Sequence, residues 1–276
     1  MSKKIWFITG ISSGLGEAIV KAVIDAGDFA IGTFRDPIQT EEFNNKHKDT
    51  AFGITMDVTK INDIKKAFQL IEEKFGRLDV LVNNAGFGFA GAVEETSIEE
   101  VRNVFETNFF GSLHVTQAAL PLFRAQKSGH IIQISSHSGF KGFPGFGIYG
   151  ASKFAMEGLS EGLSAEVAPL GIKVTIVEPG PFRTAFAGKG FGVAEKTIPD
   201  YASTAGFFSE RIRAADGKQE GDPAKAAKAI WDITQIENPP LRLPLGKIAV
   251  GTLTSKLESV QKDLNDYRAV AESAVF

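Results

Sequence analysis

Short apolar runs alternate along the chain with stretches whose apolar residues recur at helical spacing. Residues 5–9 are apolar and end in a glycine-rich break, the pattern of a buried strand. In residues 15–26, Leu15, Ala18, Ile19, Ala22, Val23 and Ala26 share one helical stripe, which stops at Gly27. Further strands are predicted over Phe29–Phe34, residues 51–56, Val80–Asn83, residues 130–135 and residues 172–178. Between them lie a helix over Ile61–Phe75, a long helical pattern within residues 98–123 and a helix over residues 149–169. Near-continuous apolar strands are buried on both faces, and their alternation with helices predicts an α/β fold. The architecture is a doubly wound parallel sheet with helices on both faces, in a single domain over residues 1–276. Such sheets bind ligands at the carboxyl ends of their strands.

The regularity fails between residues 181 and 221, which are rich in Gly and Phe. A connection of that length predicts a lid over a binding site. Asp222-Pro223 then opens a helix, Asp as the N-cap and Pro in the first helical position. Residues 239–250 have room for a last strand, and residues 255–274 read as a C-terminal helix.

Composition narrows the function. At 276 residues, 43% hydrophobic and 23% charged, the chain is long enough and apolar enough for a sizeable core. Net charge −3 lacks the basic excess of a nucleic-acid binder. There is no cysteine, which removes disulfides, thiol nucleophiles and thiolate metal sites and fits a reducing compartment, the cytoplasm. The four histidines, His47, His114, His130 and His137, form no metal-binding pair, so no metal is expected. The N-terminal apolar run is too short for a signal sequence, and no stretch is long enough to span a membrane.

Three motifs carry chemistry. Thr9-Gly10-Ile11-Ser12-Ser13-Gly14-Leu15-Gly16 lies between the first strand and helix. Glycines there permit a tight turn and close approach of backbone to a pyrophosphate at a helix N-terminus, as in a Rossmann-type fold. Tyr149 and Lys153, four residues apart on a helix, share one face. An adjacent ammonium predicts a lowered phenol pKa and a usable acid/base. Ser136 closes the fifth strand, where it serves either as a hydrogen-bond donor to substrate or as a cap for the following turn.

Together these motifs resemble the short-chain dehydrogenase/reductase family, over most of the chain. The glycine motif matches at Thr9–Gly16, N-N-A-G at Asn83-Asn84-Ala85-Gly86, and P-G-x-x-x-T at Pro179, Gly180 and Thr184. The catalytic asparagine, serine, tyrosine and lysine match Asn108, Ser136, Tyr149 and Lys153. Asp57, followed by Val58, matches the adenine-contacting position. The resemblance implies hydride transfer between a nicotinamide and a carbonyl carbon. It implies proton donation by Tyr149, a hydrogen bond from Ser136 to the carbonyl oxygen, ribose contact and pKa lowering by Lys153, and a water held by Asn108. Cofactor contacts are implied at Gly10, Ser12, Ser13, Gly14, Leu15, Gly16, Asp57, Val58, Asn84, Ala85, Gly86, Tyr149, Lys153, Pro179, Gly180 and Thr184. The branch it looks most like contains 17β-hydroxysteroid dehydrogenase-like proteins and bacterial carbonyl reductases. The family expectation for assembly is a homodimer or homotetramer.

An acid at the end of the second strand selects NAD, whereas a nearby arginine accommodates the 2′-phosphate of NADP. Here Phe34 occupies the acid's position and Arg35 follows, which favours NADP(H). A one-residue slip would bring Asp36 to the ribose and favour NAD(H), so both stay open. Phe87, Phe89, Phe140, Phe143, Phe146, Phe182, Phe186 and Phe191 flank the catalytic segments and favour an apolar, aryl or steroid-like ketone or secondary alcohol. Arg183 is the one candidate for a substrate carboxylate, and His137 reads as an exposed loop histidine. Two other readings compete. A non-catalytic redox sensor would not need Tyr149 and Lys153, and a nucleotide-sugar dehydratase or epimerase would need a larger C-terminal region.

Overall fold

The structure, a computed structural model, describes residues 3–188 and 190–276; Met1 and Ser2, the start of the N-terminal run, lie outside the described residues. Its first half alternates strand and helix, with one helix, α2, that was not expected: β1 (Ile5–Ile8), α1 (Gly14–Asp25), β2 (Phe29–Phe34), α2 (Pro37–Lys46), β3 (Ala51–Thr55), α3 (Ile61–Phe75) and β4 (Val80–Asn83). A two-residue strand β5 (Phe89–Ala90), α4 (Ile98–Phe105), α5 (Ser112–Gln126), β6 (Gly129–Ile134), α6 (Gly147–Val167) and β7 (Ile172–Pro179) follow. The chain ends with β8 (Gly192–Val193), α7 (Phe207–Ala214), α8 (Pro223–Ile233), β9 (Arg242–Leu245) and α9 (Lys247–Glu272).

Seven strands pair in parallel in the order β3-β2-β1-β4-β6-β7-β9. Alternate residues of each strand feed two cores. Phe7 joins Ile64, Phe68 and Ile71 of α3, Val115 and Phe123 of α5 and Leu163 of α6. Trp6 and Ile8 join Ile19 and Val23 of α1 and Ile230 and Ile233 of α8 on the opposite face. The strands carry no polar face because both of their faces are covered.

Two elements depart from the expected pattern. α2 has almost no apolar stripe; it forms because the Asp36 carboxylate accepts from Ile38 N at 2.9 Å and Pro37 occupies the first helical position. The long helix over residues 98–123 is interrupted by a π-helical turn at Glu106–Gly111. The segment over residues 181–221 contains short helical turns, β8 and α7, and its ends are joined by a bridge between Phe182 and Gly221. The helix cap at Asp222 forms as expected, with Ala224 N donating to its carboxylate at 2.9 Å.

One carboxylate joins β1, β2 and α8. Asp28 accepts from the indole nitrogens of Trp6 at 3.2 Å and Trp231 at 2.9 Å, and from Lys4 N at 2.9 Å. Asp28→Ala leaves two indole N–H groups without their acceptor and is expected to cost about 3 kcal/mol. That corresponds to a Tm roughly 10 °C lower in a thermal melt followed by circular dichroism, with Asp28→Asn losing less.

Candidate active site

The strand order reverses between β1 and β4, the topological position at which doubly wound sheets open a crevice. Thr9 and Asn84 stitch the two strand ends together there. The Thr9 hydroxyl accepts from Asn84 N and Ala85 N, both at 3.0 Å, and the Asn84 amide donates to the carbonyls of Thr9 and Gly10, both at 2.9 Å. Gly10 and Gly14 have φ of 69° and 65°, a region that favours glycine. At Gly16 a Cβ would lie 2.3 Å from the Gly10 carbonyl oxygen. The loop therefore folds back on its helix only because that side chain is missing. Ser12 and Ser13 are exposed at the mouth, Leu15 packs inward on the α1 core, and Thr184 stands against Gly14, 3.2 Å from where a Cβ would be. Pro179 ends β7, and Gly180 N donates to Leu245 O at 2.9 Å, which aligns that segment with β9.

The residues expected to do the chemistry come together beyond these strand ends. Asn108 sits inside the π-helical turn, fully buried. The wider turn swings its amide toward β4, where it exchanges two hydrogen bonds with the Phe87 backbone at 2.9 and 3.0 Å. π-turns recur at functional sites for this ability to re-aim a side chain. Gly86 lies between this amide and the lysine: a Cβ there would be 3.0 Å from Asn108 Oδ1 and 3.6 Å from Lys153 Nζ. Lys153 is buried on α6 and donates to Ile134 O at 2.8 Å, which holds it at the end of β6. Ser136 accepts from Ser138 N at 3.1 Å, so it caps the following 3-10 turn in addition to facing Tyr149.

The expected lowering of the Tyr149 pKa is not what this site produces. Burial pushes the phenol up to about 12, and hydrogen bonding from Ser136 offsets only part of that. Burial pushes Lys153 down to about 8, against the pull of Glu157 one helical turn on. The helical spacing does bring the two residues to one face, but the ammonium lies 6.0 Å from the ring centroid and is directed at a carbonyl. Desolvation therefore outweighs the charge of the lysine. Beneath Lys153, Arg242 of β9 bonds Glu157, Glu161 and Glu178, while burial holds the Glu157 carboxyl up at about 7.

An aromatic wall covers Tyr149. Its ring lies 4.7 Å from Phe146 and 5.7 Å from Phe186; Phe146 also meets Phe191 and Phe208 at 5.9 and 5.3 Å. Phe87, Phe89 and Phe143 join the same cluster. Phe140 and Phe182 do not. Phe140 lies under the Arg242 guanidinium, and Phe182 packs on Gly221. Phe208, on a helix of the 181–221 segment, was not singled out by sequence because that segment lacks periodicity. Gly88 makes the wall close: a Cβ there would sit 2.5 Å from Phe186 Cζ and 2.9 Å from Phe191 Cδ2.

Other expectations need correction. His137 is half-buried, against Phe143 and within 3.2 Å of Thr252 Oγ1, and burial lowers its pKa to about 4. Arg183 donates through Nε and Nη2 to Gln219 O at 3.2 and 3.1 Å, a tether within the segment. Val58 faces the core beneath Gly111. Asp57 keeps its place at the end of β3. Burial alone would raise its pKa, but hydrogen bonds from Thr59 and the charges of Lys60 and Arg35 bring it below the usual value. Asp36 is engaged as the cap of α2, with exposed Arg35 beside it. Among the described residues no cluster of His, Asp and Glu could hold a metal, and no helix is long and apolar enough to cross a membrane.

The glycine cradle, the gap at Gly86 and the buried Tyr149–Lys153 pair fit a nicotinamide dinucleotide, and known proteins agree. A family model described as short chain dehydrogenase matches residues 4–191. A 3-ketodihydrosphingosine reductase from Bacteroides thetaiotaomicron is 38% identical over 261 residues, 94% of this chain and 93% of its own. The crystal structure of a short-chain dehydrogenase from Streptomyces avermitilis superposes with a TM-score of 0.93 at 44% identity, covering 100% of both chains. ElxO with NADP bound superposes with a TM-score of 0.72 at 28% identity over 88% of this chain and 97% of its own. The chain belongs to the short chain dehydrogenase family and is an NAD(P)-dependent oxidoreductase.

Proposed function

We propose that the protein is an NADPH-dependent carbonyl reductase that interconverts an apolar, aryl or steroid-like ketone and its secondary alcohol. The observation that carries this reading is the juxtaposition of Lys153 and Asn108 at Gly86, with the Tyr149 ring 6.0 Å from the lysine ammonium and packed in a wall of phenylalanines. The resemblance to a 3-ketodihydrosphingosine reductase supports a ketone as substrate. The dinucleotide would be held by Gly10, Ser12, Ser13, Gly14, Leu15 and Gly16, by Asn84, Ala85 and Gly86, and by Pro179, Gly180 and Thr184. Asp57 and the Val58 backbone would lie at the adenine. Bound there, the nicotinamide supplies the two-electron redox chemistry.

The chain's own groups handle the proton. With its pKa near 12, Tyr149 stays protonated at neutral pH and is the donor to an alkoxide forming on the substrate. Ser136 stabilises charge on the same oxygen. Lys153 is charged below about pH 8, and its ammonium favours the phenolate that Tyr149 leaves behind. Asn108, held by the Phe87 backbone, is placed to hold a water behind the lysine. The segment over residues 181–221 acts as a lid that excludes solvent, through Phe186, Phe191 and Phe208. The enzyme works in the cytoplasm. Arg35 favours NADPH, because its guanidinium pairs with a 2′-phosphate while the Asp36 carboxylate is engaged by α2.

Four experiments test these assignments. Tyr149→Phe is expected to lower turnover of an accepted ketone with NADPH roughly 10²- to 10⁴-fold; unchanged turnover would sink the reading. In the wild type, kcat/KM for reduction should fall as pH rises through about 8, where Lys153 loses its charge, with Tyr149 still protonated. Arg35→Ser should raise the KM for NADPH roughly tenfold and leave that for NADH nearly unchanged; a wild-type preference for NADH would reassign selection to Asp36. Gly88→Ala sets a methyl against Phe186 and Phe191. It should reduce kcat/KM for bulky aryl ketones roughly tenfold, with the KM for NADPH unaffected.

A further inference from the structure

The last helix leaves the body of the molecule. The first turns of α9 are anchored: Thr252 meets His137 at 3.2 Å, Lys141 Nζ donates to Ser255 Oγ at 2.9 Å, and Ala249 and Leu253 are buried. From Leu257 to the end, every residue is exposed. The helix nonetheless continues to Glu272, sixteen residues and about 24 Å farther. An isolated helix of that length is marginal in water.

The exposed stretch has the spacing of a paired helix. Leu253, Leu257, Val260, Leu264, Tyr267 and Ala271 follow one another at alternating intervals of four and three residues. This is the repeat that keeps one apolar seam facing a partner helix. Leu257 is 59% exposed and Tyr267 66%. The opposite face carries a pair one helical turn apart, Lys262 with Asp266, and Arg268 at the edge of the seam meets Glu272 within its own helix. At its root the seam opens on a groove of about 350 Å³ between Leu257, Val260 and the Phe154 and Gly158 positions of α6. Four basic and four acidic residues balance along α9, which lacks the basic face of a helix that lies on anionic lipid.

The flanking charges specify the partner and its direction. Asp263 precedes one seam residue, Leu264, and Arg268 follows another, Tyr267. Five residues apart, these are the positions that face each other across two parallel, in-register helices. An antiparallel pair centred on the exposed stretch would set Asp263 against its own copy. We propose that the exposed half of α9 is an oligomerisation arm. It pairs in parallel with the same helix of a second copy through Leu257, Val260, Leu264 and Tyr267, with Asp263 of each chain paired to Arg268 of the other.

The absence of cysteine makes a direct test available. Val260→Cys and Tyr267→Cys each place one thiol on the seam, and Asp266→Cys places one on the outer face. Under mild oxidation the two seam variants should form interchain disulfides with themselves, in yields at least tenfold above Asp266→Cys, since only close Cα atoms can be bridged. Self-linking no greater than Asp266→Cys would overturn the proposal. So would linking confined to mixtures of Val260→Cys with Leu264→Cys, the antiparallel outcome. Sedimentation should show Asp263→Arg associating roughly tenfold more weakly and Asp263→Arg/Arg268→Asp restored, while NADPH binding confirms that each variant is folded. An unchanged native mass in Leu257→Asp/Leu264→Asp, with wild-type protein cosedimenting on phosphatidylcholine vesicles, would assign the seam to lipid and overturn the proposal.

Discussion

The hydrogen bonds among Thr9, Gly10, Asn84 and Ala85 are the joint on which the site depends. They span the point where the sheet reverses direction, and they fix two loops that come from strands more than seventy residues apart. The glycine loop needs this joint because Gly10, Gly14 and Gly16 contribute no side chains to hold its turn. The loop after β4 needs it because Gly86 must lie between Asn108 and Lys153 without a side chain to wedge it there. A threonine hydroxyl and an asparagine amide satisfy both requirements while using only backbone partners. They leave the crevice lined by glycines and open to a ligand's phosphates.

The chemistry beyond that joint is set by burial. A phenol and an ammonium sunk in an apolar site are both driven toward their neutral forms. Here that raises the phenol to about 12 and lowers the lysine to about 8, so two groups that titrate close together in water move apart and exchange order. The phenol thus keeps its proton across a range in which the lysine gives up its charge. Arg242 and its three glutamates keep the same principle from destabilising the base of α6, because charges buried there are paired.

Much of this was legible in the residues. The buried strands announced themselves as unbroken apolar runs, and Asp222-Pro223 marked a helix start because capping is a local interaction. The four residues expected at the site do converge. What stayed hidden depended on longer-range geometry. The π-turn around Asn108 leaves no periodic trace, since one inserted residue barely perturbs a helical stripe. α2 has no apolar face to detect, although Asp36-Pro37 is the same capping pair that was read correctly at Asp222-Pro223. The direction of the Tyr149 shift was misread because spacing reports the neighbouring charge and not the depth of burial. Phe140 and Phe182 were grouped with the aromatic wall by nearness in sequence, but in space each meets a different partner.

The carboxylate of Asp28 has an optical consequence. The chain contains two tryptophans, and both indoles donate to that one group. Tryptophan emission from this protein therefore originates at a single place, the seam between β1 and α8, on the face of the sheet opposite α3, α5 and α6. The molecule carries its own lamp there, and its colour and brightness follow whether the C-terminal region is seated on the first strand.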